Sequence, residues 1–285
     1  SAASDVYKRQ IPFNLDSLHK VFSKDLAEKL ENKLIEKFGF NKKVPILELR
    51  KSQDKDLEFL AEYVYQKVFL GYTVKQWGVK PEDLDVSVSG RVPVYISLDD
   101  RYFQDKYQAI PQDGYTKMVE NILRNPLIKV ELNTDFNDVK DQIEYERLFF
   151  SGAIDEFFDY ELGRLPYRSL DIVFRKYDCE YLQSGPQLNF PENYDYTRSV
   201  EYKYYLGEKS DKTIVSYEYP CVYEEGRNER YYPIPNEDNQ HLYSQYLNKA
   251  KELKNVYFIG RLGDYKYYNM DQTVARALEL FEGVK

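Results

Sequence analysis

Histidine and cysteine are scarce in this chain, with 2 of each among its 285 residues. Cys179 and Cys221 are too few for a disulfide framework, so a reducing compartment, the cytoplasm, is expected. His19 and His241 lack the spacing to these cysteines that a usual zinc site requires. No metal site is therefore predicted.

Long apolar runs and a basic excess are also missing. No stretch approaches the roughly 18 apolar residues of a membrane-spanning helix, and no signal-peptide pattern is visible. The net charge of -8 and the pI of about 5.1 argue against a nucleic-acid partner, because phosphate backbones attract basic surfaces. We expect neither nucleic-acid binding nor membrane insertion.

Tyrosine, by contrast, is abundant: the chain has 29 Tyr beside 16 Phe and 1 Trp. A tyrosine ring offers a flat apolar face and one polar tip at little entropic cost. Most of these rings are expected to be half-buried in the core. The surplus also suits a pocket for a sugar or a nucleotide.

The apolar periodicity predicts a mixed α+β or α/β fold in three parts. Residues 1–10 have no periodicity and are interpreted as a foreign leader. Residues 11–125 are predicted to be mainly helical, with helices that start after Ser23 and Asp54. The apolar stripe of the first is Leu26, Leu30, Leu34 and Phe38, and that of the second is Leu57, Leu60, Val64 and Val68. Residues 126–235 are predicted to form an antiparallel sheet, and residues 236–285 a helix, a buried strand and a final helix. The individual strands are predicted at Ile128–Leu132, Ile172–Phe174, Gln187–Phe190, Val200–Tyr205 and Thr213–Tyr219.

The segment Asn255–Asp271 combines a buried strand, a glycine and the start of a helix. The backbone can turn at Gly260, and Asn269 with Gln272 can form a capping box. A helix N-terminus of this kind can hold an anionic or polar ligand. The alternative is an ordinary strand-to-helix connection packed on a core.

Several specific motifs occur in a fixed order along the chain. They are Gly71–Gly78, Arg91–Val94, Asp100–Phe103, Ile110–Thr116, Leu132–Phe136, Ser151–Asp155, Leu165–Leu170, Tyr196–Arg198, Glu218–Pro220, Tyr231–Ile234 and Asn255–Asp271. With these motifs, the chain from Ile11 to its end resembles the bacterial UDP-galactopyranose mutases, a family of flavoenzymes. The resemblance implies an isomerase that interconverts UDP-galactopyranose and UDP-galactofuranose, with cell-wall biosynthesis as its setting.

The resemblance also implies a mechanism and a set of site residues. Reduced flavin N5 attacks the anomeric carbon, UDP leaves, and the covalent flavin–sugar adduct opens and recloses as the five-membered ring. Arg91 and Arg198 match the two arginines that hold the diphosphate, a role that suits the charged, planar guanidinium. By the resemblance, Arg91 belongs to a mobile substrate loop at about 83–95. The other substrate-site matches are Phe69, Tyr72 against the uracil, Thr73, Trp77, Tyr102, Asn189, Glu218, Tyr232, Tyr267 and Asn269. For Trp77, core packing is the alternative, and for Glu218 a place on a surface strand.

By the same resemblance, Gly260, Arg261, Met270 and Asp271 match the C-terminal segment that binds FAD. Two local departures are visible. Asn269 stands where the family usually has Asp, and the interval from Asn189 to Arg198 is one residue short.

The largest departure is an absence. The family begins with a G-x-G-x-x-G unit that holds the FAD pyrophosphate, and this sequence contains no such pattern. We interpret the chain as an N-terminally truncated mutase that keeps a remnant of a Rossmann-like FAD domain, binds FAD weakly and is inactive alone. A homodimer is one assembly open to the full-length protein. Two other functions stay open: an FAD-dependent oxidase or desaturase, and a non-catalytic UDP-sugar-binding module.

Overall fold

Among the residues that the structure describes, seven strands form one mostly antiparallel sheet. The structure is a computed structural model and describes residues 3–5, 10–90 and 92–284. The strands in chain order are β1 Ala3–Asp5, β2 Gln10–Ile11, β3 Lys43–Val44, β4 Val94–Tyr95, β5 Leu148–Phe150, β6 Tyr167–Tyr177, β7 Gln187–Asn189, β8 Arg198–Glu201, β9 Thr213–Val222, β10 Tyr232–Pro233 and β11 Val256–Phe258. The sheet order is β10-β6-β9-β8-β7-β1-β2. Strands β3 and β4 form an antiparallel pair, and β5 and β11 a parallel pair.

The register of this sheet brings three predicted site residues together. Asn189 on β7 pairs with Arg198 on β8, and Arg198 pairs with Glu218 on β9. Residues directly opposite each other on antiparallel strands share one face of the sheet. The three polar side chains therefore form a row across three neighbouring strands.

Thirteen α-helices are found in the described part of the chain, several of only one turn. They are α1 Leu15–Val21, α2 Lys24–Phe38, α3 Ile46–Leu49, α4 Lys55–Val64, α5 Gly71–Trp77, α6 Val86–Ser89, α7 Gly114–Ile122, α8 Phe136–Val139, α9 Ile154–Phe157, α10 Lys203–Leu206, α11 Glu237–Ala250, α12 Gly260–Gly263 and α13 Met270–Gly283. A π-helical turn, Tyr65–Leu70, joins α4 to α5, and a 3₁₀ turn covers Pro81–Asp83. The mixed α/β fold class is confirmed.

The helices at the start of the chain pack round one apolar core. Leu30 and Leu34 of α2 are buried, as are Leu57 and Leu60 of α4, so the predicted stripes face inward. The Asp54 carboxylate accepts from the backbone N–H groups of Asp56 and Leu57, at 2.9 and 3.2 Å, and caps α4. The helical pattern predicted from Asp54 onward is thus confirmed.

Three predicted segments differ from the structure. Ile128–Leu132 forms no strand, since its apolar side chains are exposed and no described strand pairs with it. Strand β8 ends at Glu201, and the next residues form α10, which ends at Gly207 in the left-handed conformation. Val44–Leu49, whose sequence also predicts an extended run, is a strand only as far as Val44, because Pro45 is the N-cap of the one-turn helix α3.

The C-terminal region has its own core, in which β11 lies beside β5. Tyr246 of α11 is fully buried there, and its hydroxyl donates to the Gly163 carbonyl at 2.6 Å. The apolar side chains of α13 lie on the surface: Met270 and Leu278 are 64% and 62% exposed. The boundaries at residues 125 and 235 stay predictions.

The leader also takes part in the main sheet. Ala3–Asp5 pairs with β2 and, in parallel, with β7. That these residues are foreign to the protein stays a prediction. No helix of the described residues has the length and apolar character to cross a membrane.

Candidate active site

A cavity of about 370 Å³ lies between α5 and the row of polar residues on the main sheet. Most of the substrate residues predicted from the sequence line it. They are Phe69, Tyr72, Thr73, Trp77, Tyr102, Asn189, Arg198, Tyr232, Tyr267 and Asn269. These residues come from parts of the chain as far apart as Phe69 and Asn269, and the fold brings them to one place.

One face of α5 supplies a wall of the cavity. Gln76 follows Tyr72 by four positions and Trp77 follows Thr73 by four, which places these lining residues on one side of the helix. Arg168 of β6 fixes the end of this helix: its Nε donates to the Gln76 carbonyl at 2.9 Å and its Nη2 to the Lys75 carbonyl at 3.0 Å. Burial lowers the pKa of the Arg168 guanidinium. This arginine satisfies carbonyls that the helix end leaves unpaired.

The rings of Tyr232 and Tyr267 form a second wall, which packs against Trp77 at the end of α5. The centroids of Trp77 and Tyr232 are 5.6 Å apart, and the ring of Tyr267 lies edge-on to both, at 6.0 and 5.1 Å. Trp77 is 8% exposed, so it packs in the core and lines the cavity at once. The two readings offered for Trp77 are therefore compatible.

An ion pair lies at the base of the cavity. The Arg198 Nε and Nη2 atoms both donate to one Glu218 oxygen, at 2.9 and 2.6 Å. Burial lowers the pKa of Arg198, but its interactions with Tyr72 and Glu218 outweigh burial and raise it overall. Glu218 does not itself line the cavity; it orients the arginine that does. Burial also raises the pKa of Tyr72 to about 12, so this phenol is neutral at physiological pH.

Arg91 lies outside the described residues, and its role stays a prediction. Ser89 and Val92, on either side of it in the sequence, line the cavity. No group of three or more His, Cys, Asp or Glu side chains in the described part could hold a metal ion. Both cysteines are free.

Some lining residues were missed by the sequence reasoning. Gln76 lies four positions after Tyr72 on the same helix, and Gln187 lies two before Asn189 on β7. Helical and strand periodicity would have found both, because they share a face with a predicted residue. Tyr205 also lines the cavity. It was misassigned to a strand, which hid its orientation.

A sequence model of the UDP-galactopyranose mutase family matches residues 67–267. The chain belongs to this family. A probable UDP-galactopyranose mutase of Klebsiella pneumoniae is 36% identical over 272 residues, which cover 94% of this chain and 69% of the relative. A dTDP-fucopyranose mutase of Escherichia coli is 35% identical, over 98% of this chain and 74% of the relative. A UDP-galactopyranose mutase of Mycoplasma pneumoniae is 33% identical, over 94% and 71%.

The fold agrees with this family. A crystal structure of reduced UDP-galactopyranose mutase superposes with a TM-score of 0.65 and 14% identity, over 99% of this chain and 78% of that one. At this identity the likeness concerns the fold alone. The UDP-galactopyranose mutase family is flavin-dependent.

The predicted flavin residues of this mutase lie beside the cavity rather than in its lining. Gly260 is buried and has a φ of 86°, a left-handed conformation that suits glycine. Arg261 donates from Nε and Nη2 to the Tyr268 carbonyl, at 2.8 and 2.6 Å, and lies 4.6 Å from the Tyr267 ring. Met270 and Asp271 are exposed at the start of α13. Arg261 therefore stabilises the loop that contains Tyr267 through these hydrogen bonds.

A second, open cavity of about 640 Å³ adjoins the first. Its lining includes cationic and amide groups of the kind that hold a pyrophosphate, together with the acidic Glu279, and none of the four predicted flavin residues lines it. The two cavities share Tyr102, Phe103, Tyr267 and Asn269. Lys266 and Arg276 add positive charge, and Gln272 adds an amide. Asn269 and Gln272 form the predicted capping box at the start of α13, which is thereby confirmed. A group bound here would touch a ligand in the first cavity.

Proposed function

We propose that this protein is an isomerase that interconverts UDP-galactopyranose and UDP-galactofuranose in the cavity beside α5. The observation that carries the proposal is the position of Arg198, which lines the same cavity as Tyr72 and two further tyrosines, Tyr232 and Tyr267. A guanidinium suits a diphosphate because it can give paired, charged hydrogen bonds. A neutral phenol ring offers a flat surface for a base.

The roles of the individual residues follow from this arrangement. Tyr72 stacks on the uracil, and Arg198 holds the diphosphate and stabilises the charge that gathers there as UDP leaves. Glu218 keeps the guanidinium in position through its two hydrogen bonds. We assign the tyrosine hydroxyls of the opposite wall to the outer phosphate oxygens, and Arg91 to the other side of the diphosphate.

The cofactor is proposed to be FAD, held beside the second cavity by the segment from Gly260 to Asp271. When bound there, a reduced flavin would supply the nucleophilic electron pair, while the protein's residues supply position and charge. Weak FAD binding by this chain alone stays our expectation. It is checked by the flavin absorbance of the purified protein: a stoichiometric signal would contradict it.

The central experiment is UDP binding by calorimetry with Arg198→Ala. Losing hydrogen bonds from a charged donor costs about 1.5–3 kcal/mol, which predicts about ten- to a hundred-fold weaker binding. Arg227→Ala is the control, because Arg227 is an exposed arginine that pairs with Glu224 on the surface. Unchanged affinity in Arg198→Ala would contradict the proposal. Arg198→Lys, which keeps the charge near Glu218, separates a binding defect from a folding defect.

A dTDP-sugar mutase is the second candidate. It is favoured by one observation, the 35% identity to the dTDP-fucopyranose mutase, which nearly equals the 36% to the Klebsiella relative. Competition between UDP and dTDP for binding shows which base the cavity prefers. Comparing turnover of UDP-galactose with that of dTDP-fucose shows which sugar is the substrate. Preference for both dTDP compounds would replace the first candidate.

The two other readings have simple tests. An oxidase or desaturase would consume an electron acceptor in step with substrate, whereas a mutase makes no net redox change. A binding module would keep UDP affinity without flavin and show no turnover with it. Membership of a mutase family favours the isomerase over both. The cytoplasm as location and a homodimer as assembly stay predictions.

A further inference from the structure

The amino group of Lys75 lies among four backbone carbonyl oxygens of one loop, residues 190–196. Its Nζ donates to the carbonyls of Glu192 at 2.8 Å, Tyr194 at 3.1 Å and Tyr196 at 3.2 Å, and also to that of Phe190. An ammonium has only three N–H groups, so the four acceptors share them. All four partners lie more than a hundred residues further along the chain.

Gly71, one turn before Lys75 on α5, lets the helix approach this loop closely. A Cβ atom at Gly71 would lie 1.9 Å from the Pro191 carbonyl oxygen and 3.1 Å from its carbon. The φ of Gly71 is an ordinary helical -64°, so space and not backbone conformation requires glycine here. Gly71 and Lys75 therefore lie on the same face of the helix and contact the same loop.

The loop lies between two residues of the cavity. Asn189 precedes it, Arg198 follows it, and Pro191 within it also lines the cavity. At its far end, the Thr197 hydroxyl donates to the Gln76 amide oxygen at 3.3 Å. The path of the loop thus sets how far Arg198 stands from the Tyr72 wall.

We propose that Lys75 is a positioning residue, whose ammonium gathers the carbonyls of residues 190–196 and so holds Asn189 and Arg198 opposite Tyr72. This inference rests on the proposed function, since it assigns UDP to the cavity. Lys75 does not line the cavity and acts only through the loop. With the ammonium removed, the carbonyls lose a shared donor and the loop separates from α5.

The charge of this amine supports the same reading. Burial lowers the pKa of Lys75 to about 8, against the attraction of Asp195, while carbonyl acceptors favour the charged form. The other charged or titratable groups packed round it are Glu192, Tyr194 and Tyr196 on the loop and Arg168 on β6. Above the pKa the neutral amine loses its charge and one of its three N–H donors, so fewer of the four carbonyl oxygens are satisfied. UDP affinity is therefore expected to fall as the pH rises through about 8.

The test compares UDP affinity by calorimetry in Lys75→Met, Lys75→Gln and Lys75→Arg. We expect about tenfold weaker binding in Lys75→Met, a smaller loss in Lys75→Gln, and recovery in Lys75→Arg, whose charge persists. Gly71→Ala should displace the same loop by a different contact, because its Cβ would clash with the Pro191 carbonyl, and it should weaken UDP binding to a similar degree. Between about pH 7 and about pH 9, the affinity should fall in the wild type and stay level in Lys75→Arg.

Lys203 provides the matched control. Its Nζ donates to the carbonyls of Ser210 at 2.8 Å and Lys212 at 3.1 Å, and also to that of Glu180, and it does not line the cavity. Lys203→Met should lower the melting temperature and leave UDP affinity within about twofold.

Three outcomes would overturn the inference: wild-type affinity in both Lys75→Met and Lys75→Gln, an equal loss in Lys203→Met, or a Lys75→Arg protein that folds and binds no better than Lys75→Met. If Arg198→Ala weakens UDP while the Lys75 variants do not, only the inference fails. If the wild type binds no UDP, the proposed function fails as well. Should Lys75→Met not fold, the glutamine variant and the wild-type pH series decide.

Discussion

Replacing Glu218 by Gln separates two consequences of the ion pair at the base of the cavity. The change keeps the shape of the side chain and leaves an oxygen that can accept from Arg198, but it removes the negative charge. In the free protein this charge binds the same guanidinium that we assign to the diphosphate. Glu218 therefore acts in two ways: its hydrogen bonds position the guanidinium, which the glutamine oxygen can still do, and its negative charge competes with the diphosphate for that guanidinium.

The size of the effect can be worked from the pair itself. Both side chains are largely shielded from water, with exposed fractions of 28% for Arg198 and 10% for Glu218. The Gln oxygen still accepts from the charged guanidinium, so what is lost is one charge of the ion pair. That loss costs up to about 1 kcal/mol in an exposed pair and about 3–5 kcal/mol in a fully buried one, and we expect about 1–2 kcal/mol for this partly exposed pair. This loss should lower the melting temperature by a few degrees. Because the competition also disappears, UDP affinity should rise by about fivefold.

The assay is calorimetric titration with UDP, with thermal unfolding measured on the same preparations. Glu156→Gln is the matched control: Glu156 pairs with the half-buried Arg230 at 2.8 Å, and neither residue lines the cavity. It should lose stability with no change in UDP affinity. Weaker UDP binding in Glu218→Gln would refute the reasoning, because the carboxylate would then be aiding the ligand rather than competing with it.

Variants at three further residues test the cavity and its C-terminal support. Tyr72→Phe should bind UDP within about threefold of wild type, whereas Tyr72→Ala should lose about 1–3 kcal/mol of stacking, measured by the same titration; equal losses would assign the role to the hydroxyl. Asn269→Ala should cost about 1 kcal/mol in thermal unfolding by removing the capping box, whereas Asn269→Asp keeps the cap and should not. Gly260→Ala should cost about 1–2 kcal/mol because of the positive φ, and an unchanged melting temperature would contradict this.

Local patterns predicted those elements whose stabilising contacts lie within the element. The stripe containing Leu57 and Leu60 and the cap at Asp54 are both contacts of neighbouring residues, so the start of the long helix was readable. The capping box of Asn269 and Gln272 was readable for the same reason. The positions of the site residues came from ordered motifs, and their meeting in one cavity required the fold.

Contacts between residues far apart in the chain could not be predicted from the sequence. Ile128–Leu132 has the apolar pattern of a strand, but a strand needs a partner, which no local pattern provides. Strand β8 stops at Glu201, whose carboxylate accepts from the Leu182 and Gln183 N–H groups rather than facing water. The alternating pattern that continues past it was therefore misleading. The four carbonyls round Lys75 are invisible in the sequence, because backbone oxygens carry no residue identity.

The π-helical turn Tyr65–Leu70 lets the continuous helix from α4 to α5 present one face to the core and a different face to the cavity. An α-helix turns by about 100° per residue, so one extra residue in a turn rotates everything after it by that angle. The residues before the turn can then serve the core, and Tyr72 and those after it the ligand. Deleting one residue from the turn would shorten the helix by a single residue and leave it helical. The deletion would nevertheless rotate Tyr72 away from the cavity. An alignment gap within 65–70 of a relative would thus mark a changed binding site, even where every lining residue is conserved in type.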